Sequence, residues 1–178
     1  ALVAGLLAAC GAAVRPGAAS SAGSALAGPD QDLVVSAAQA VQPAMLDRLA
    51  ERRAIFMGEV HNRPEHHRGQ LAAIRALHDY GVNLALGLEA FQRPFQSDLD
   101  DYAAGRIGES ELLRRSGYKE RWGFDFGLYR AILEFARDKG IPLVALNATK
   151  EQIQTVSRDG IDALSQEHRR TIPNPPEL

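Results

Sequence analysis

The sequence predicts an α/β fold. The expected form is a parallel sheet flanked by helices, with a helical insertion after the second strand, in a domain that is incomplete. Three observations predict it. Short apolar runs at 54–60, 82–88 and 141–146 have the length of buried strands. Stretches with apolar residues at helical spacing separate them. Each run also hands over to a polar residue, Glu59, Glu89 or Asn147, and sites in open α/β sheets lie at such strand ends.

The whole chain sets bounds on these readings. Its 178 residues suit one domain plus a leader. With 46% hydrophobic and 24% charged residues the composition is globular. A net charge of -2 and the lack of a basic run argue against a nucleic-acid partner. Cys10 is the single cysteine, which excludes a disulfide framework or a cysteine-based metal site. No apolar stretch has the roughly 18 residues of a membrane-spanning helix.

Residues 1–10 are an apolar run of small residues ending in Leu7-Ala8-Ala9-Cys10. The pattern is that of an export signal's apolar region and cleavage site, entered partway. With Gly11 following, it resembles the bacterial lipobox, which implies cleavage before Cys10 and acylation, palmitate included. Several acyl chains anchor stably where a single one binds marginally. The plainer alternative is an ordinary cysteine in a secretion signal. Residues 11–32, rich in Ala, Gly and Ser, read as a flexible linker. Residues 33–178 read as the N-terminal part of the folded domain.

The first helix is expected over 36–53, with Val41, Met45, Leu46 and Leu49 at helical spacing and Pro43 in its first turn. In the strand that follows, Ile55, Phe56 and Met57 do not alternate, as in a strand covered on both faces. Glu59 and His61, two apart, point to one side of an extended chain. They are either the start of a site or a hydrogen-bonded pair tying the strand to the next helix.

That helix is expected over 64–80, with Leu71, Ile74 and Leu77 as its apolar stripe. His67 falls on the inward face, where it can meet Glu59 and His61. His66 is rotated away and reads as solvated. His78 suits a helix C-terminus and needs no functional reading. Gly81 is a natural C-cap. The second strand, 82–88, then ends on Glu89. A right-handed crossover makes the two strands parallel, so Glu59, His61 and Glu89 can share one crevice. Otherwise Glu89 caps the next segment or pairs with Arg93.

Phe91, Phe95, Leu99 and Tyr102 recur at helical spacing in the insertion, and Ser110 can cap a short helix. Aromatic residues concentrate at Tyr118, Trp122, Phe124, Phe126 and Tyr129. With Lys119, Arg121 and Arg130 they suit a flat anionic ligand, or else form a small core of their own. A helix over 126–139 ends at Gly140. The third strand follows, with Pro142 outside its ladder and Asn147 able to turn an amide toward the crevice. Thr149 opens a helix to 158 or 159, and a last helix spans 161–170. Three strands are a thin sheet for this apolar content, so the domain reads as cut at its C-terminal end.

The chain resembles the ChaN-like haem-binding lipoproteins of the erythromycin esterase/Tiki-like superfamily, truncated at both ends. The resemblance rests on Gly58-Glu59-Val60-His61, Pro64-Glu65-His66-His67, Leu86-Gly87-Leu88-Glu89, Trp122 with Tyr129, and Pro142-Leu143-Val144-Ala145-Leu146-Asn147. It covers about 53–170. It implies a lipoprotein of the bacterial cell envelope, at the outer membrane facing the periplasm and linked to iron or haem uptake. Haem would lie at a homodimer interface with a tyrosine on the iron, Tyr129 first and Tyr118 second. His61, His67, Glu59 and Glu89 would line the cofactor site. Phenolate is a known axial ligand of haem iron. The superfamily also implies an alternative, a metal-dependent or Glu/His-based hydrolase using Glu59, His61 and Glu89. The ligand-binding reading is preferred to the enzyme.

Overall fold

The computed structural model describes residues 5–11 and 42–170. The strands are β1 (Gly5–Gly11), β2 (Ala54–Gly58), β3 (Asn83–Gln92) and β4 (Leu143–Asn147). The helices are α1 (Pro43–Ala50), α2 (Pro64–Asp79), α3 (Gln96–Ala103), α4 (Glu109–Ser116), α5 (Tyr118–Arg121), α6 (Gly127–Asp138), α7 (Lys150–Asp159) and α8 (Gln166–Arg170). The predicted α/β class holds, with the four short helices α3 to α6 between β3 and β4.

The sheet order is β2-β1-β3-β4. β3 and β4 pair in parallel, while β1 runs antiparallel to both β2 and β3. β2 and β3 therefore run in the same direction, as the crossover predicts, but they are not neighbours. The apolar run expected as a leader supplies the backbone between them. Leu7 lies opposite Phe56 on one side and Gly87 on the other. The two strands are thus level, and Glu59 and Glu89 follow at nearly the same height.

One face of the sheet carries the core. Leu84, Leu86, Leu88, Leu143 and Ala145 are buried, and Ile55 and Met57 pack against them. Ile74 and Leu77 of α2 and Ile132, Leu133 and Ala136 of α6 complete this layer. Each helix brings an apolar stripe at the 3.6-residue period. The opposite face differs from the expectation of burial on both sides. Phe56 is 81% exposed and Val144 is also exposed. An uninterrupted apolar run does not reveal that its alternate residues face different surroundings.

The insertion also departs from the helical spacing in one place. Phe91 belongs to β3, which extends past Glu89 to Gln92, and the first α-helix of the insertion begins at Gln96. Leu99 and Tyr102 are buried from α3, as the spacing requires. Gly108 stands at the N-cap of α4, so Ser110 lies inside the helix. Gly117 closes α4 and opens α5 at φ 57°. A Cβ there would add αL strain and meet Arg121 Nε at 3.1 Å.

Gln96 closes the outer edge of β4. Its amide nitrogen donates to the Leu143 carbonyl at 2.9 Å, and its amide oxygen accepts from the Ala145 N–H at 2.7 Å. A side chain thereby satisfies an edge that no strand among the described residues covers. β4 begins after Pro142, and Thr149 opens α7 with a reciprocal capping box to Gln152. The last predicted helix is a 3₁₀ turn, Ile161–Ala163, followed by α8. The expected helix residues 36–41, the linker from residue 12 and the terminal 171–178 lie outside the described residues. Among the described residues no helix is long and apolar enough to cross a membrane.

Candidate functional site

β2 ends at Gly58, and the next residue, Glu59, turns its side chain inward until 5% remains exposed. A buried carboxylate needs donors, and three side chains supply them. His61 Nδ1–H donates to Glu59 Oε1 at 2.8 Å, and the Tyr129 hydroxyl from α6 donates to the same oxygen at 2.6 Å. Gln70 from α2 donates to Oε2 at 2.8 Å and also to the Met57 carbonyl at 3.1 Å. His67 Nδ1 stands 3.4 Å from Oε2, within ion-pair reach but without a hydrogen bond.

Burial alone would raise the Glu59 carboxyl. The bonds from His61, Tyr129 and Gln70, with the charge of His67, outweigh it and hold the group below the usual glutamate value. Glu59 is therefore a carboxylate near neutral pH. Its bond to His61 then fixes the tautomer: Nδ1 carries the proton and Nε2 of the neutral ring is bare. The other two histidines at this handover are fixed differently. His67 is 3% exposed, and its Nε2–H donates to the His61 carbonyl at 3.0 Å. His66 Nδ1 accepts the Val60 N–H at 2.8 Å, which places the proton of the neutral ring on Nε2. His66 is thus a loop fastener where the sequence suggests only a solvated side chain.

Glu89 lies where the pairing of β3 with β4 slips between Leu88 and Gln92. Such irregularities re-aim side chains beside sites. Glu59, Glu89, Gln70, Trp122, Tyr129 and Ile132 line a common cavity; His61, expected to share that crevice with the two glutamates, does not line it. Glu89 Oε2 is buried without a hydrogen-bond partner among the described residues. Burial pushes this carboxyl up, His61 opposes the shift in its protonated form, and Glu59 adds to it. The two carboxyls are driven in opposite directions.

Trp122 Nε1 donates to the Tyr129 hydroxyl at 3.2 Å. The Trp122 and Phe124 rings lie 4.6 and 4.7 Å from the His61 ring. His61 keeps 23% of its side chain exposed and Phe124 37% of its surface. The aromatic stretch therefore divides: Tyr118, Phe126 and Tyr129 are core, while Trp122 and Phe124 form a rim with His61. Two of its three cations are engaged elsewhere. Arg130 grips Glu109 with two bonds of 2.7 Å, and Arg121 donates to Gln92 while lying over Phe95. Asn147 does not line the cavity. Gln70 is a site residue that the sequence does not single out, although its place three residues after His67 puts it on the same inward face.

These features define an α/β protein whose co-directional strands end on a buried carboxylate cluster beneath an open aromatic rim. The family model described as haem-binding uptake, Tiki superfamily, ChaN matches residues 45–178, and the chain belongs to this family. Protein RETICULATA-RELATED 5, chloroplastic, of Arabidopsis thaliana is 27% identical over 136 residues. That match covers 72% of this chain and 18% of the relative, so the chain spans a small part of that protein's length. No solved structure matches.

A family of haem binders poses a question of fit. The inner cavity, about 10 Å³, is the size of roughly one water and admits no porphyrin. Tyr129 and Tyr118, the tyrosines the resemblance nominates, are both buried. Burial first, then the bond to Glu59, raises the Tyr129 phenol far above its ordinary value. Burial raises Tyr118 as well, helped by the charges of Asp125 and Glu59. The rim is different: it joins the Trp122 and Phe124 ring faces to a partly exposed imidazole.

Proposed function

We propose that this chain binds haem as the cargo of an uptake system, on the rim formed by His61, Trp122 and Phe124. The observation that carries this reading is the rim itself, open to solvent above a fixed Glu59–His61 pair, in a chain of a haem-binding family. Trp122 and Phe124 would hold the porphyrin through apolar contact, and Lys119, exposed on α5, could meet a propionate. Haem supplies coordinated iron as cargo; the chain's task is to bind it, orient it and shield it from water. Titration of the full chain with ferric haem, followed in the Soret band, tests this. Saturable binding supports the reading, and its absence removes it.

The same proposal places the protein at the bacterial cell envelope, at the outer membrane facing the periplasm, anchored through lipidated Cys10. Its support is the Leu-Ala-Ala-Cys-Gly pattern. Processing of that kind would remove residues 1–9 and most of the β1 backbone with them. Palmitate labelling that disappears in Cys10→Ala would support the anchor. A homodimer sharing haem belongs to the same reading, and sedimentation with and without haem tests it.

A second reading is favoured by the paired carboxyls. Glu59 is held ionised and Glu89 is pushed toward its neutral form, beside His61. Divergence of this kind suits acid–base hydrolysis. An ester-hydrolysis screen with Glu59→Gln as control tests it; activity in the control would discard it.

A further inference from the structure

We propose that the inner cavity is a binding site for one water molecule, held between Gln70 Oε1 and Glu89 Oε2. It concerns the floor of the site, below the rim, and stands apart from both functional readings.

Hydrogen-bond donors are short at this floor. Gln70 is buried on α2, and its amide nitrogen donates to Glu59 Oε2 at 2.8 Å and to the Met57 carbonyl at 3.1 Å. Both amide hydrogens are thereby engaged. Turning the amide over would set its oxygen against a carboxylate and a carbonyl, so its orientation is fixed. Gln70 Oε1 is left buried, and nothing among the described residues donates to it. Glu89 Oε2 is in the same position. Buried acceptors of this kind are costly unless a protein group or an ordered water meets them.

The side chains of the cavity wall have no donor to spare. Leu88, Ala90 and Ile132 carry no polar group. The Trp122 Nε1–H is given to the Tyr129 hydroxyl, and the Tyr129 proton is given to Glu59. Glu59, held ionised, only accepts. A water supplies what the wall lacks. It carries two O–H bonds, and two acceptors on the wall stand without a donor. The cavity volume of about 10 Å³ agrees, since it is close to the least that holds one water.

Bound there, the water completes a hydrogen-bonded chain through the site. Glu89 is joined through it to Gln70, Gln70 Nε2 to Glu59 Oε2, and Glu59 Oε1 to the partly exposed His61. β2 and β3 are not sheet neighbours, so the strands themselves do not connect the two carboxyls. Gln70 is the positioning residue that does so, with an oxygen for the water and a nitrogen for Glu59. The same size limit keeps any larger ligand out of the floor and confines it to the rim.

The test uses crystal structures and water-selective NMR of the full chain, Ala90→Val and Ala90→Gly at neutral pH. The wild type is expected to show one isolated density peak about 2.5–3.0 Å from both Gln70 Oε1 and Glu89 Oε2. Cross-relaxation from a long-lived water to the Gln70 amide protons is expected with it. Ala90→Val adds two methyl groups to the wall and is expected to lose the peak and the cross-relaxation and to unfold at a lower temperature. Ala90→Gly is expected to keep both signals, and with the wild type it decides the matter if Ala90→Val does not fold. A cavity without density, with the Glu89 carboxyl turned to donate directly to Gln70 Oε1, would overturn the inference. A peak at about 2.0–2.4 Å from the two oxygens would mark a metal ion and overturn it as well. So would an Ala90→Val variant more stable than the wild type, since filling a dry cavity stabilises.

Discussion

The Tyr129 hydroxyl donates to Glu59 Oε1 at 2.6 Å, joining the strand end to α6 across 70 positions of the chain. This bond links the layers of the fold at the site. It also determines what each partner can do: Glu59 gains a donor that keeps it ionised, while Tyr129 becomes harder to deprotonate.

Tyr129→Phe should therefore cost stability more than ligand binding. It removes a hydrogen bond to a charged group, an effect of about 1.5–3 kcal/mol, and leaves Trp122 Nε1 without its acceptor. Urea denaturation at neutral pH should show the loss. Haem titration of the same variant should reach the wild-type endpoint.

Glu59 predicts a response to acid. Its folded-state value lies below the ordinary 4.5, so the folded state binds fewer protons than the unfolded chain between the two values. Its contribution to stability is fully present above 4.5 and is lost as pH falls through the folded-state value. Glu59→Gln should abolish this part of the acid dependence. At neutral pH it should lose about 1.5–3 kcal/mol, because one amide nitrogen would face groups that are themselves donors. Thermal unfolding of both proteins from neutral to strongly acid pH checks the pattern.

Glu89 predicts the opposite slope. Its folded-state value is raised, so between 4.5 and that value the folded state holds the extra proton. Stability falls there as pH rises, and ionised Glu89 is a cost above it. Glu89→Gln should be more stable than the wild type at and above neutral pH. The two proteins should converge in acid. A Glu89→Gln variant less stable than the wild type at neutral pH would contradict the assignment.

Much of this site is legible in the sequence. The local pattern of apolar run, glycine and glutamate puts Glu59 and Glu89 at strand ends, and helical periodicity turns His67 inward. The long-range pairing is not legible. Nothing local to Tyr129 says that its hydroxyl meets Glu59, because that contact depends on how α6 lies across the sheet. Gln70 is silent for another reason: a neutral amide gives no chemical signal until the buried carboxylate beside it requires a donor. Phe56 misleads because Ile55, Phe56 and Met57 are all apolar although alternate residues face opposite sides. The apolar run ending at Cys10 reads as a leader alone, whereas the same small residues also satisfy the backbone pairing of β1.

Gln96 offers a test of the fold independent of the site. It donates to Leu143 O and accepts from Ala145 N–H, so one side chain satisfies two backbone groups on the outer edge of β4. Its amide also donates to Asp100, which holds it within α3. Gln96→Ala should cost about 1–3 kcal/mol, as expected when partly buried backbone groups lose their partners. The effect should be local before it is global. Amide hydrogen exchange at Ala145 should accelerate well beyond the change that global stability explains, because its N–H would face solvent along an unpaired edge. The Leu86 amide bonds to the Pro142 carbonyl from the inner side and should retain most of its protection. Equal acceleration at both amides would mean that Gln96 supports the whole strand pair rather than the edge.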